Sequence, residues 1–282
     1  MNASRRARRA SRRERIRGRT ARLRPRDVDV LNALLRMRAL RTRDIARLFF
    51  GARSTARKRL RQLFDAGLVR VHVCSLAEET RYSVSPLGYR LLEQAYDSPP
   101  RYFAPPRVDA RQASHHDLLV SYWTALAVGG RENAVALELF RPEWELRSAD
   151  PHAELIPDAL ATLRSSAAPD RPLVLAVEAD TGTERAHVIQ RKLERYDSAT
   201  GTARGVFDAK PDAVLFVVST ERRARRLAVH LHGYARTPVL LGPLPNILCD
   251  GGLTTGISTP RQLVEQPSPE GDFTSGLLTG VE

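Results

Sequence analysis

Residues 54–73 read Ser-Thr-Ala-Arg-Lys-Arg-Leu-Arg-Gln-Leu-Phe-Asp-Ala-Gly-Leu-Val-Arg-Val-His-Val, and two periodicities meet inside them. Ala56, Leu60, Leu63 and Phe64 recur at helical spacing, Gly67 stops that pattern, and Val69, Val71 and Val73 then alternate as a strand does. Ser54 stands where a helix N-cap is expected. At ~100° per residue the polar side of this helix holds Thr55, Lys58, Arg61 and Gln62, with Arg57 and Arg59 flanking. Working outward, Pro25 opens a helix with Val28, Leu31, Leu34 and Leu35 on one face. Thr42 is placed to cap a short helix carrying Ile45, Leu48 and Phe49, closed by Gly51. Downstream, a polar turn over 75–80 leads to the alternating pair Tyr82 and Val84, and a closing helix covers 86–96. Three helices with a tight second-to-third turn, followed by a hairpin, make an α+β winged helix-turn-helix over residues 25–96.

An α-helix fits the major groove of duplex DNA, and Thr55, Arg57, Lys58, Arg61 and Gln62 supply donors for base edges and phosphates. The competing account is an ordinary solvated basic face. Double-stranded DNA is the expected partner because the neighbouring segment agrees with it. Residues 1–24 contain eleven arginines, Arg12 and Arg13 among them, and one acid, so +10 of the formal +13 net charge lies in this arm. An Arg-dense arm without apolar periodicity is expected to be disordered alone and to neutralise phosphate or enter a narrow minor groove. Glu78 and Glu79 at the hairpin tip would repel phosphate, so the helix and the arm are expected to make the contacts rather than the tip.

The 282 residues are 42% hydrophobic and 27% charged, ordinary for a chain that buries a core, while 6% aromatics leave little material for a base-stacking platform. Two cysteines, Cys74 and Cys249, form no C-x-x-C pair and suit a reducing, cytoplasmic compartment. No apolar stretch approaches the ~18 residues of a membrane span, and the first 30 residues lack a signal-peptide apolar region. No phosphate-binding G-x-x-x-x-G-K-[ST], dinucleotide G-x-G-x-x-G or esterase G-x-S-x-G pattern is present.

A proline-rich linker over 97–112 leads to a second folded block, 113–248, and a Gly, Thr, Ser and Pro-rich tail, 249–282, is expected to be disordered. The block predicts a helix over 115–127, strands over 134–140, 155–163 and 172–179, a helix over 183–196, a strand over 213–219, a helix over 221–234 and a strand over 238–241. That order gives an α/β domain with a mixed central sheet. Into the apolar strands are set Asp158, directly after Pro157, and the pair Glu178 and Asp180, which share a face. A buried carboxylate costs several kcal/mol unless it is paired or metal-bound. Neighbouring strands lie ~4.8 Å apart, so Asp158 and Glu178 are candidates to share a Mg²⁺ or Mn²⁺ that activates water. Lys192, with Glu184 before it and Tyr196 one turn after it, lies at the edge of the polar face of the next helix and is the candidate cation for this site. The bland alternative is a buried ion network that only specifies the fold.

The winged helix together with His116, Ile156-Pro157-Asp158, Glu178-Ala179-Asp180-Thr181-Gly182-Thr183-Glu184 and Lys192-Leu193-Glu194-Arg195-Tyr196 resembles the replication-relaxation family of actinobacterial and plasmid proteins, over roughly residues 25–240. The resemblance implies a PD-(D/E)XK, restriction-endonuclease-like second domain and a role in plasmid or mobile-element DNA metabolism, with a relaxase or replication protein as partner. On the nuclease pattern Asp158 and Glu178 would be the acids. Asp180 stands where the pattern has lysine, so Lys192 would have to replace it. The resulting expectation is a DNA-binding protein that is non-catalytic or weakly catalytic. A Mg²⁺-dependent endonuclease using Asp158, Glu178 and Lys192, and a winged-helix transcription regulator, are the alternatives. His230 and His232 fall late in a helix, ~200° apart, and cannot grip one metal. His115 and His116 open a helix and are expected to be packed, and His187 faces solvent.

Overall fold

The computed structural model describes residues 22–72, 79–96, 101–105, 110–130, 135–166, 168–202, 205–249 and 257–265. Arg12, Arg13, Cys74 and Glu78 lie outside them. The chain divides into two compact units, Met1–Ala113 and Ser114–Glu282.

In the first unit α1 (Pro25–Arg36) starts on proline, whose fixed φ suits the first helical position. Val30, Leu31, Leu34 and Leu35 are its fully buried residues, whereas Val28 is only half-buried. β1 (Leu40–Arg41) runs straight into α2 (Thr42–Phe49). Thr42 is therefore the first helical residue and not the cap. The capping position belongs to Arg41, whose backbone N–H donates to Asp44 Oδ2 at 3.1 Å. Gly51 adopts φ +68°, a value that side chains disfavour, and so turns the chain into α3 (Arg53–Asp65). Ser54, the expected cap, lies inside α3. The capping residue is Ala52, which has no side-chain acceptor to offer.

β2 (Val69–His72) pairs antiparallel with β3 (Arg81–Val84), Val69 opposite Val84, and β1 adds to the other edge of β3. α4 (Pro86–Ala95) is capped by Ser85, whose Oγ accepts from Gly88 N at 3.0 Å and donates to Gly67 O. A side chain at Gly88 would meet the Leu68 carbonyl oxygen at 2.2 Å, so only glycine lets α4 approach that closely. Glu79 does not stand as a free charge at the hairpin. It accepts from Arg43 N at 3.0 Å and pairs with the Arg53 guanidinium at the start of α3.

The second unit is a mixed five-stranded sheet in the order β4-β5-β6-β7-β8: β4 (Val135–Pro142), β5 (Ala159–Ser165), β6 (Ala168–Asp180), β7 (Ala213–Val218) and β8 (Val239–Pro243). The first three pair antiparallel and the last three parallel. α5 (Ala110–Gly129) precedes the sheet. α6 (Glu143–Ala149), absent from the sequence expectation, follows β4. α7 (Ala186–Thr200) and α8 (Glu221–Leu231) make the parallel crossovers, and α9 (Leu244–Cys249) follows β8. Leu160, Ala176, Val214, Phe216 and Leu241 from the sheet bury against Ile189, Leu193 and Tyr196 of α7 and Leu227 and Leu231 of α8.

Two expectations change here. Asp158 precedes β5 instead of sitting in the middle of a strand: β4 ends at Pro142, opposite Ala159, and beyond that point only β6 continues alongside. The Asp158 carbonyl accepts from Glu143 N at 2.8 Å, where the chain turns into α6. Part of the stretch expected to be a disordered tail is also folded. Ser258 bridges Leu241, Ile257 is buried, and α10 (Pro260–Glu265) packs on α8. No helix among the described residues is long and apolar enough to cross a membrane.

Candidate functional site

β6 presents Ala176, Glu178 and Asp180 on the face covered by α7 and α8. Lys192 and Tyr196 stand one turn apart on α7, so both reach the same carboxylate. Lys192 Nζ pairs with Glu178 Oε2, and Tyr196 Oη donates to Glu178 Oε1 at 2.5 Å. Glu178 is 2% exposed and Lys192 27%, so the lysine stem descends from the surface onto a buried acid. Ala159 pairs with Val177, which sets Asp158 one residue further, beside Glu178. Asp158 Oδ2 accepts from Ala179 N at 2.7 Å and from His115 Nε2 at 3.0 Å. Carboxylates only accept, so His115 is the donor.

The electrostatics follow from burial and from this pairing. Burial, then the neighbouring Asp158 charge, push Glu178 up to about 8. Burial opposes charge on Lys192, but Glu178 and Asp158 outweigh it and hold the amine above its usual range. Burial would likewise raise Asp158, yet the His115 hydrogen bond, the His115 and Lys192 charges and the Ala179 amide bring it below the ordinary carboxylate value. His115 is raised by the same bond, against burial. Burial and Glu178 keep Tyr196 protonated. The cluster can therefore hold one proton on Glu178 near neutrality while Asp158 stays ionised.

Asp180 and Glu184 make no hydrogen bond to it, although the Glu184 charge helps to raise Lys192. Asp180 Oδ2 accepts from Arg223 Nε of α8 at 2.6 Å and Oδ1 from Gly182 N at 2.8 Å. The Arg223 NH2 group also donates to the Glu184 carbonyl, while the Glu184 side chain is exposed ahead of α7. Asp180 is thus pinned between β6 and α8. A hard divalent cation takes about six oxygen ligands. Here both Glu178 oxygens face donors, one Asp158 oxygen takes two more, and among the described residues no three His, Cys, Asp or Glu side chains converge as a metal set. As arranged, the pair does not fit Mg²⁺ or Mn²⁺.

The polar face of α3 divides in two. Thr55, Arg57 and Lys58, on its N-terminal half, are exposed. Gln62 Oε1 accepts from Arg59 at 2.7 Å, and Arg59 pairs with the buried Asp27 of α1. Arg61 binds Asp65 at 2.9 Å and lies 5.5 Å from the Phe64 ring centroid. Arg61 and Gln62 are therefore held within the unit. His115, Arg223, Arg59 and Asp27 were not identified as partners from sequence. For His115 the only signal was its place beside His116 at a helix start. His116 itself is buried, its ring 5.8 Å from that of Trp144.

No curated protein and no solved structure matches this chain. The replication-relaxation family model matches residues 31–210. That match starts within α1, runs past α7 and takes in His115, Asp158, Glu178, Lys192 and Tyr196. With well over half of its length so matched, the chain belongs to the replication-relaxation family.

Proposed function

We propose that this protein is a DNA-binding factor of plasmid or mobile-element replication or relaxation, in which the first unit acts as a winged helix on duplex DNA. The observation that carries this is α3. Its rear side is buried, and Thr55, Arg57 and Lys58 stand exposed beside a helix start that no side chain caps. Exposed helix amides and cations favour phosphate, and the first turns of a recognition helix are those that reach base edges. Gly51 supplies the turn of a helix-turn-helix, β2 and β3 supply the wing, and the Arg-rich arm adds salt-sensitive affinity. Glu79, neutralised by Arg43 and Arg53, ties the wing to the start of α3 and removes the repulsion expected of it.

The second unit serves as a nuclease-like scaffold, non-catalytic or weakly catalytic, that meets DNA or a relaxase or replication protein. Support comes from Glu178, whose two oxygens are committed to Lys192 and Tyr196. A gel shift on duplex plasmid fragments tests the first claim: Arg57→Ala with Lys58→Ala should remove sequence-selective binding, and retained selectivity overturns it. Incubating supercoiled plasmid with Mg²⁺ or Mn²⁺ tests the second. Nicking that Asp158→Asn abolishes would make the protein a metal-dependent endonuclease instead.

A further inference from the structure

A cleft of about 1000 Å³ opens on the second unit between the α6–β5 loop, α7 and the loop that precedes β7. None of His115, Asp158, Glu178, Lys192 or Tyr196 lines it. Arg141 of β4 and Arg191 and Arg195 of α7 do, and none of the three side chains makes an ion pair or hydrogen bond among the described residues. Arg191 and Arg195 are one turn apart and project to the same side of their helix.

Asp150, Glu154, Glu194 and Asp208 share the lining, and all but Glu154 have partners of their own among the described residues. Glu194 accepts from Tyr234 Oη at 2.7 Å, and Asp150 accepts from His152 N at 3.1 Å. The inner wall is apolar, with Leu155, Val206 and Phe207 packed on the core. Phe207 sits in an unusual turn. Val206 and Ala209 exchange both backbone hydrogen bonds, at 2.7 and 3.1 Å, so Phe207 and Asp208 are the two central residues of a hairpin turn, with φ +51° and +60°. Such turns favour Asn-Gly, and a bulky aromatic there is strained. Backbone strain of this kind persists where the surrounding structure imposes it and gathers at ligand-binding positions.

We propose that this cleft binds a nucleotide unit, its phosphate held by Arg141, Arg191 and Arg195 and its base laid against the Phe207 wall. Guanidinium forks match phosphate oxygens, and a base face gains from aromatic contact whatever its identity. The volume is large enough for a short run of single strand as well as for one free nucleotide. The site is independent of the duplex contact assigned to α3.

The test irradiates the full-length protein with a single-stranded dT10 oligonucleotide carrying one central 5-iododeoxyuridine and maps the adduct by peptide mass spectrometry. The expected adduct falls at residues 205–209, drops about tenfold or more in the Arg191→Ala, Arg195→Ala double variant, and persists in Arg57→Ala, Lys58→Ala. Both arginines are exposed, so the double variant should keep its circular dichroism spectrum and its duplex gel shift. A parallel arm uses free 5-iodo-dUMP: an adduct of similar yield identifies a free nucleotide as the ligand, and an adduct with the oligonucleotide alone identifies a strand. No adduct at residues 205–209 with either probe, or equal yield in the Arg191, Arg195 variant, overturns the proposal.

Discussion

His115 Nε2 lies 3.0 Å from Asp158 Oδ2, a bond that joins α5 to the residue just ahead of β5 and makes a histidine the outermost member of the buried carboxylate cluster. His115 has a raised value in the fold, so its stabilising share is full below its unfolded value of ~6.5 and is lost as pH rises through the folded value. Asp158 is lowered, so its share is present above ~3.9 and is lost as pH falls through the folded value. His115→Ala should therefore lose more stability in urea at pH 5.5 than at pH 9. Equal losses at the two values would mean that the bond contributes no charge-dependent stability.

Glu178 gives a slope of the opposite kind to that of a salt-bridged acid. Its value rises from an ordinary 4.5 to about 8, so the folded state holds the extra proton and stability falls as pH climbs through that window. Glu178→Gln, which stays neutral, should flatten the stability profile between pH 5 and 8. A profile as steep as the parent's would assign the slope to another group.

Lys192 and Tyr196 should differ in their cost. Lys192→Met leaves Glu178 buried beside Asp158 without its cation, so its cost should grow as pH rises through about 8, where the acid ionises, and reach about 2–4 kcal/mol above it. Tyr196→Phe removes one hydrogen bond and should cost about 1 kcal/mol. Denaturant melts of both variants above that pH decide the order, and the reverse order would show that the hydroxyl and not the amine holds the acid.

On α3 the two halves of the polar face should separate in experiment. Arg61→Ala removes one of the partners of Asp65, whose side chain is 1% exposed, and should lower stability by about 1 kcal/mol with little change in sequence selectivity. Lys58→Ala should do the opposite. Paired thermal melts and gel shifts check both, and loss of selectivity in the stable Arg61 variant would return that residue to the DNA interface.

Deleting residues 2–24 should reduce the log-log salt slope of duplex binding by about 5, if about six arginines engage phosphate. Titration at four salt concentrations reads the slope, and an unchanged value would remove the arm from the interface.

Local pattern alone determined most elements of this chain, though not α6 or α10. Helical spacing at Leu60, Leu63 and Phe64, alternation at Val69 and Val71, and the apolar run Leu173–Val177 are properties of neighbours in sequence, as are the stops at Gly51 and Gly67. The short segments carrying Asp158, Glu178 and Lys192 were legible too, since charges set beside apolar strands stand out, and they sufficed to suggest the family. What each charge does was decided by tertiary structure. His115 meets Asp158 across 43 residues, Arg223 meets Asp180 across 43, and Arg59 meets Asp27 across 32. Those meetings set which cations face DNA, which are consumed internally and whether a carboxylate keeps its proton. Sequence periodicity reports which face of an element turns inward. The partner of a charge on that face depends on how distant elements cross, and Coulomb and desolvation energies are fixed only by those distances.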